Sequence, residues 1–138
     1  MKTASEIQED VYRLLRGSSL ADMLSGTVYL DEENRPRDSR LEDAVVIHTA
    51  GMPGQIQEGY VSVLIFLPDI DPWQNGVLVK DYARAKALEA AAQQWADSIR
   101  GAHEGYLFEL SGTISTQAEP SIGQHFVAVR LRYRYAEN

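Results

Sequence analysis

Between Tyr60 and Leu67 the chain reads YVSVLIFL, a run whose two alternating residue sets are both apolar. Val61, Val63, Ile65 and Leu67 fall on one side of an extended strand; Tyr60, Leu64 and Phe66 fall on the other. A sheet covered on one face only alternates apolar with polar residues. This run therefore predicts a sheet covered on both faces, with the second face under the first helix or under another subunit.

The flanking segments name the other elements. Thr3 and Glu6 have capping-box spacing, Ile7, Val11, Leu14 and Leu15 recur at helical spacing, and Gly17 stands at the stop. SSLADML (18–24) reads as a second short helical turn capped by Ser18 or Ser19, and Thr27–Leu30 as a short strand. AVVIHTA (44–50) and QIQEGYVSVLIFL (55–67) face each other across Gly51-Met52-Pro53-Gly54, which predicts a hairpin over 44–67. The segment 77–100 predicts a long Ala-rich helix with Leu78, Tyr82, Ala85, Leu88, Ala92, Trp95 and Ile99 on one stripe. YLFELSGTIST (106–116) and QHFVAVRLRYRYA (124–136) read as two long closing strands.

The order α-α-β-β-β-α-β-β, with short turns between consecutive strands, predicts an α+β fold. Its sheet is mainly antiparallel, with about five strands, the long helix packed on one face and a shorter helix at the N-terminus. With 138 residues and no linker or repeat, the chain reads as one domain, 1–138.

Charge and cysteine usage narrow the function. Twenty acids against thirteen Lys and Arg give a net charge of −7, a poor balance for general nucleic-acid or anionic-membrane binding. The chain has no Cys, which removes disulfides, thiol nucleophiles and Cys-ligated metals. MKTASEIQEDVYRLL has no uninterrupted apolar stretch, and no run approaches a membrane span of roughly 20 apolar residues. These features predict a soluble, cytosolic protein.

Few residues suggest chemistry. Asp69 and Asp71 put two carboxylates on one side of an extended segment, a pattern that suits a divalent cation and equally a turn before a helix. His48, His103 and His125 are widely separated, and no nucleophile elbow, Walker loop or dinucleotide fingerprint is present. No cofactor is expected. A clearer signal is the alternation of Arg130, Arg132 and Arg134 with Val129, Leu131, Tyr133 and Tyr135, which lines three guanidinium groups along one face. Such a row could bind nucleic acid, protect an edge strand or simply be solvated. On an acidic protein it suits the acidic patch of an identical neighbour, because planar Arg pairs bidentately with carboxylates. The acidic candidates are Asp31, Glu32 and Glu33, in the charge-dense 31–43 segment DEENRPRDSRLED, which reads as a long, exposed and mobile loop.

Laid out in order, these elements resemble the tail terminator (tail completion) proteins of long-tailed bacteriophages and prophage-like elements. The resemblance covers nearly the whole chain. It rests on the helix ending in Leu14-Leu15, Ser19-Leu20-Ala21-Asp22-Met23-Leu24, the strand start Gly26-Thr27-Val28-Tyr29, and a charged loop. The hairpin at 44–67, the helix start Asp81-Tyr82-Ala83-Arg84-Ala85 and two closing strands rich in aromatic residues and arginine complete it. The resemblance implies a non-enzymatic structural protein that assembles as a homo-oligomeric ring, commonly a hexamer. Such a ring caps the tail tube, meets the head connector and passes DNA as cargo, first in the bacterial cytoplasm and then in the virion tail. Its surface candidates are Arg130, Arg132, Arg134, Asp31, Glu32, Glu33, Tyr60, Leu64 and Phe66. The alternatives are another head–tail adaptor, or a small metal-dependent hydrolase or nuclease using Asp69 and Asp71.

Overall fold

In the computed structural model, which describes residues 1–101 and 103–136, the doubly apolar run lies inside a mixed sheet as strand β3 (Gln57–Pro68). Before it come helix α1 (Ala4–Arg16), the short helix α2 (Ser19–Met23), β1 (Val28–Leu30) and β2 (Ala44–Met52). After it come helix α3 (Tyr82–Ser98), β4 (Tyr106–Leu110), β5 (Ser115–Glu119) and β6 (Gln124–Tyr135). The strands lie in the order β1-β2-β3-β6-β4, and β5 also pairs with β6. β1 runs parallel to β2, and the remaining pairs are antiparallel. The fold is α+β, and the hairpin is β2–β3 with Ala44 opposite Ile65 and Met52 opposite Glu58.

The sheet has six strands among the described residues because the segment 106–116 is broken. β4 ends opposite Leu131 and β5 starts opposite Ala128, so Ser111–Ile114 span only Val129 and Arg130 on β6. Gly112 has φ +87, a left-handed conformation that glycine adopts at little cost and that ends the ladder. β4 and β5 thus lie end to end along one long partner.

Local signals set the helix ends. The Thr3 hydroxyl accepts from Glu6 N–H while the Glu6 carboxylate accepts from Thr3 N–H, and the Gly17 N–H closes on Arg13 and Leu15 carbonyls. Ser18 caps α2 by accepting from Ala21 N–H. Asp81 caps α3 by accepting from Arg84 N–H, so the helix starts at Tyr82 rather than at Val77. The stripe is shortened accordingly. Leu78 and Tyr82 are exposed, whereas Ala85, Leu88, Ala92, Trp95 and Ile99 are buried.

Helices α1, α2 and α3 sit on one face. Ile7, Val11 and Leu15 of α1, Leu20 of α2, and Leu88, Trp95 and Ile99 at α3 share one apolar cluster with Val61, Val63, Ile65 and Leu67 of β3. Fully burying each such side chain contributes about 1.5–3 kcal/mol. The Trp95 indole also donates to the Leu14 carbonyl at 3.4 Å, tying α3 to α1. Of the two covers expected for the second face, the first helix or another subunit, the first is corrected: α1 shares the first face with α3.

Gly59 makes room for this core. A β-carbon there would collide with the Ala50 carbonyl oxygen and the Tyr133 hydroxyl, so only glycine lets the buried Tyr133 ring pass across β3. Gly26 plays a similar part beside the Asp43 carboxylate.

Candidate subunit interface

The second face of the sheet follows from register. Tyr60 lies opposite Arg132, Ser62 opposite Arg130, Leu64 opposite Ala128, Phe66 opposite Phe126, and Glu58 opposite Arg134. On β2, Val45 faces Leu64 and Ile47 faces Ser62. Arg130, Arg132 and Arg134 do share one face, as their alternation requires, with Tyr60, Leu64 and Phe66 beside them. Among the described residues, the apolar cluster that holds the helices includes none of Val45, Tyr60, Leu64 and Phe66 on this face. The face carries a row of cations beside these apolar side chains.

The row is organised within the chain. The Arg130 guanidinium lies 4.0 Å from the Tyr60 ring centroid, a stacking distance that shields the apolar ring while keeping the charge in water. Arg132 and Arg134 reach the same carboxylate oxygen, Glu58 Oε1, at 3.4 and 3.3 Å. Both pairs are well exposed, so their contribution to folding is about 0–1 kcal/mol. By register two glutamates, Glu58 opposite Arg134 and Glu109 opposite Arg132, share this face with the three arginines. Glu58 was not among the sequence candidates; only the register across β3 and β6 brings it there.

The opposite end of the face is covered by the 31–43 loop, which is anchored rather than simply exposed. Arg35 Nε donates to Asp43 Oδ2 at 2.9 Å, and the two side chains are 5% and 1% exposed. Asp43 also accepts from the Ser39 hydroxyl at 2.6 Å and from Thr27 N–H at 3.1 Å. Arg35 Nη2 donates to Gln124 Oε1 at 3.0 Å, and its guanidinium lies 4.3 Å from the Phe66 ring centroid. Phe66 is thereby buried inside its own chain, while Tyr60 and Leu64 stay half-buried. Arg84 of α3 clamps the loop's far end. Its Nε and Nη2 donate to the Glu42 carboxylate at 2.6 and 2.8 Å, a bidentate bond that raises the arginine's pKa.

The acids of the loop remain outside. Asp31, Glu32 and Glu33 are exposed at the 3-10 turn Glu32–Asn34, where the Asp31 carboxylate accepts from Glu32 N–H and Asp31 itself has φ +70. None of them reaches Arg130, Arg132 or Arg134 within the chain; Arg132 and Arg134 stand toward the other end of β3 and Arg130 opposite its middle.

The remaining candidates are engaged separately. Asp69 Oδ1 meets His125 Nδ1 at 2.6 Å, whereas Asp71 accepts from Asn75 and Gly76 N–H in a turn. His48 Nε2 meets the Tyr133 hydroxyl at 2.8 Å, and burial pushes the histidine's pKa down and the tyrosine's up. His103 stacks on Tyr106, whose hydroxyl donates to Asp10 at 2.7 Å. Burial tends to raise the Asp10 pKa, but bonds from Lys2 and Tyr106 outweigh it and hold the carboxyl below its ordinary range. Among the described residues, no three or more His, Asp or Glu side chains are grouped to hold a metal ion. No helix among them is long and apolar enough to cross a membrane.

Exposed apolar side chains complete the surface, and composition alone does not show their grouping. Ile70, Trp73, Val77, Leu78 and Tyr82 project from the segment between β3 and α3, and Met52 and Ile56 from the hairpin tip at the other end of β3. No protein-family model matches the sequence, and no curated protein matches it with significance.

Proposed function

We propose that the chain is a structural subunit of a phage or prophage tail: a tail terminator that assembles as a ring on the tail tube and joins it to the head. The observation that carries this reading is the second sheet face, where Arg130, Arg132 and Arg134 stand beside the half-buried Tyr60 and Leu64, outside the apolar cluster that the helices share. Exposed acids at Asp31, Glu32 and Glu33 on the same chain supply the complementary charge. Exposed apolar segments at both ends of β3 add surface of the kind that protein contacts bury. The order of elements agrees with the resemblance. Catalysis is not part of the reading, and Asp69 and Asp71 each have a structural partner that accounts for them.

Ring formation has a direct readout. Light scattering behind size exclusion, across concentration, is expected to show one discrete multimer, and negative-stain images to show closed rings that bind the ends of phage tail tubes. A particle that remains a monomer and hydrolyses phosphodiesters with an added divalent cation overturns the proposal.

A further inference from the structure

A cleft of about 160 Å³ lies between the 31–43 loop and the 3-10 turn Pro120–Ile122, with Phe66 of β3 as its floor. Both walls are fixed. Arg35 holds the loop through Asp43 and Gln124, and Arg40 Nη1 donates across to the Ile122 and Gly123 carbonyls at 2.9 and 3.3 Å. A recess built in advance costs little to order when a ligand enters. A cavity of about 150 Å³ takes one benzene-sized group, so only a small molecule fits.

The Arg35 guanidinium decides what that molecule must carry. The side chain is 5% exposed. Its Nε donates to Asp43, and its Nη2 to Gln124 and to the Leu41 and Ser39 carbonyls. Nη1 has no partner among the described residues. No sealed side-chain nitrogen or oxygen among them lacks a partner, so Nη1 reaches open space, and Arg35 lines this cleft. An immobilised guanidinium nitrogen with two free N–H donors in a recess is a seat for a carboxylate. Arg37, exposed at the rim and unpaired among the described residues, adds a second cation.

The rim also holds Glu32 and Glu119, and among the described residues neither forms an ion pair with Arg35 or Arg37. The Ser121 hydroxyl donates to Glu119 Oε1 at 2.6 Å, which leaves Glu119 Oε2 and the serine oxygen free to accept. Two carboxylates beside the seat repel a multiply charged anion such as phosphate. They favour a ligand with its own ammonium group next to its carboxylate. Pro36 and Ile122, with Phe66 below them, offer apolar contact to the remainder of such a molecule.

We propose that this cleft binds a free α-amino acid with an apolar side chain. The carboxylate bonds to Arg35 Nη1 and Arg37, the ammonium group to Glu119 and Glu32, and the side chain rests on Phe66 between Pro36 and Ile122. The site is separate from the arginine row, and it requires no ring.

L-leucine added to the full chain tests it. In a heteronuclear NMR titration, leucine at millimolar concentration is expected to move the Arg35 Nε–H signal and the backbone signals of 32–37 and 119–123 along one saturating curve. Isocaproate lacks the ammonium group and isoamylamine lacks the carboxylate. Each gives up bonds to charged groups and is expected to bind at least about tenfold more weakly than leucine. Ser121→Trp, at the exposed rim, is expected to abolish the response, and Arg37→Ala to weaken it several-fold, with thermal midpoints verifying that each variant folds. No saturable shift with leucine, an undiminished response in both variants, or binding of isocaproate or inorganic phosphate as tight as that of leucine overturns the proposal. None of these results bears on the ring reading, which light scattering tests.

Discussion

Arg35 and Asp43 meet at 2.9 Å out of contact with water, closing a charge-dense loop on itself across the edge of the sheet. Breaking such a buried pair by removing one partner costs about 3–5 kcal/mol, because the remaining charge is stranded. Arg35→Ala is expected to lower unfolding stability by that amount in a denaturant titration. It should also speed hydrogen exchange through 31–43, leaving exchange in β3 unchanged under native conditions.

Trp95 is 4% exposed between α3 and the sheet and bonds to the end of α1. Trp95→Ala is expected to cost about 3–5 kcal/mol, read as a drop in the midpoint of thermal or chemical unfolding. An unchanged midpoint would show that α3 contributes little to the core.

Asp10 gives the fold an acid limb. Its folded-state pKa lies below its ordinary value of about 3.9, so the unfolded chain holds the proton more tightly. The stability it contributes is present above that ordinary value and is lost as pH falls through the folded pKa. Asp10→Asn is expected to cost about 1–3 kcal/mol at neutral pH by weakening the bonds to Lys2 and Tyr106. The stability curve of the variant between pH 5 and 2, measured by denaturant unfolding, should be flatter than that of wild type.

Arg132 lies in the middle of the cation row, and Arg134 shares its glutamate. Arg132→Glu is expected to weaken assembly in light scattering, while the melting midpoint moves by no more than the equivalent of about 1 kcal/mol. If assembly is untouched while wild type binds a short duplex tightly and the variant does not, the row is a nucleic-acid site.

What could be read from the sequence was what neighbours in the chain determine. Thr3 with Glu6, Ser18 and Gly17 mark helix ends through bonds made within a few residues, and strand alternation puts Arg130, Arg132 and Arg134 on one face whatever lies opposite. Leu78 and Tyr82 have the spacing of the α3 stripe but fall before or at the first turn, because Asp81 caps the helix where periodicity alone would continue it. The segment 31–43 reads as solvated because composition counts its charges singly; Arg35 and Asp43 neutralise each other, and the third partner, Gln124, comes from the far end of the chain. The placement of α1 depends on how the chain crosses the sheet, which alternation does not encode. The break at Ser111–Ile114 had a visible cue in Gly112, whose meaning appears only when both halves are seen to share β6.

β6 comes last among the strands of the described residues, yet it sits between β3 and the β4/β5 pair. During synthesis, the stretch from Pro68 to Gln124 takes roughly 3–11 s at about 5–20 residues per second. Through that interval β3 has one neighbour and a bare edge of unpaired backbone N–H and C=O groups, a template for pairing with other nascent chains. The sheet cannot be completed piecemeal. A chain halted before Gln124 leaves β3 without its β6 partner, and β4 and β5 without the strand on which both pair.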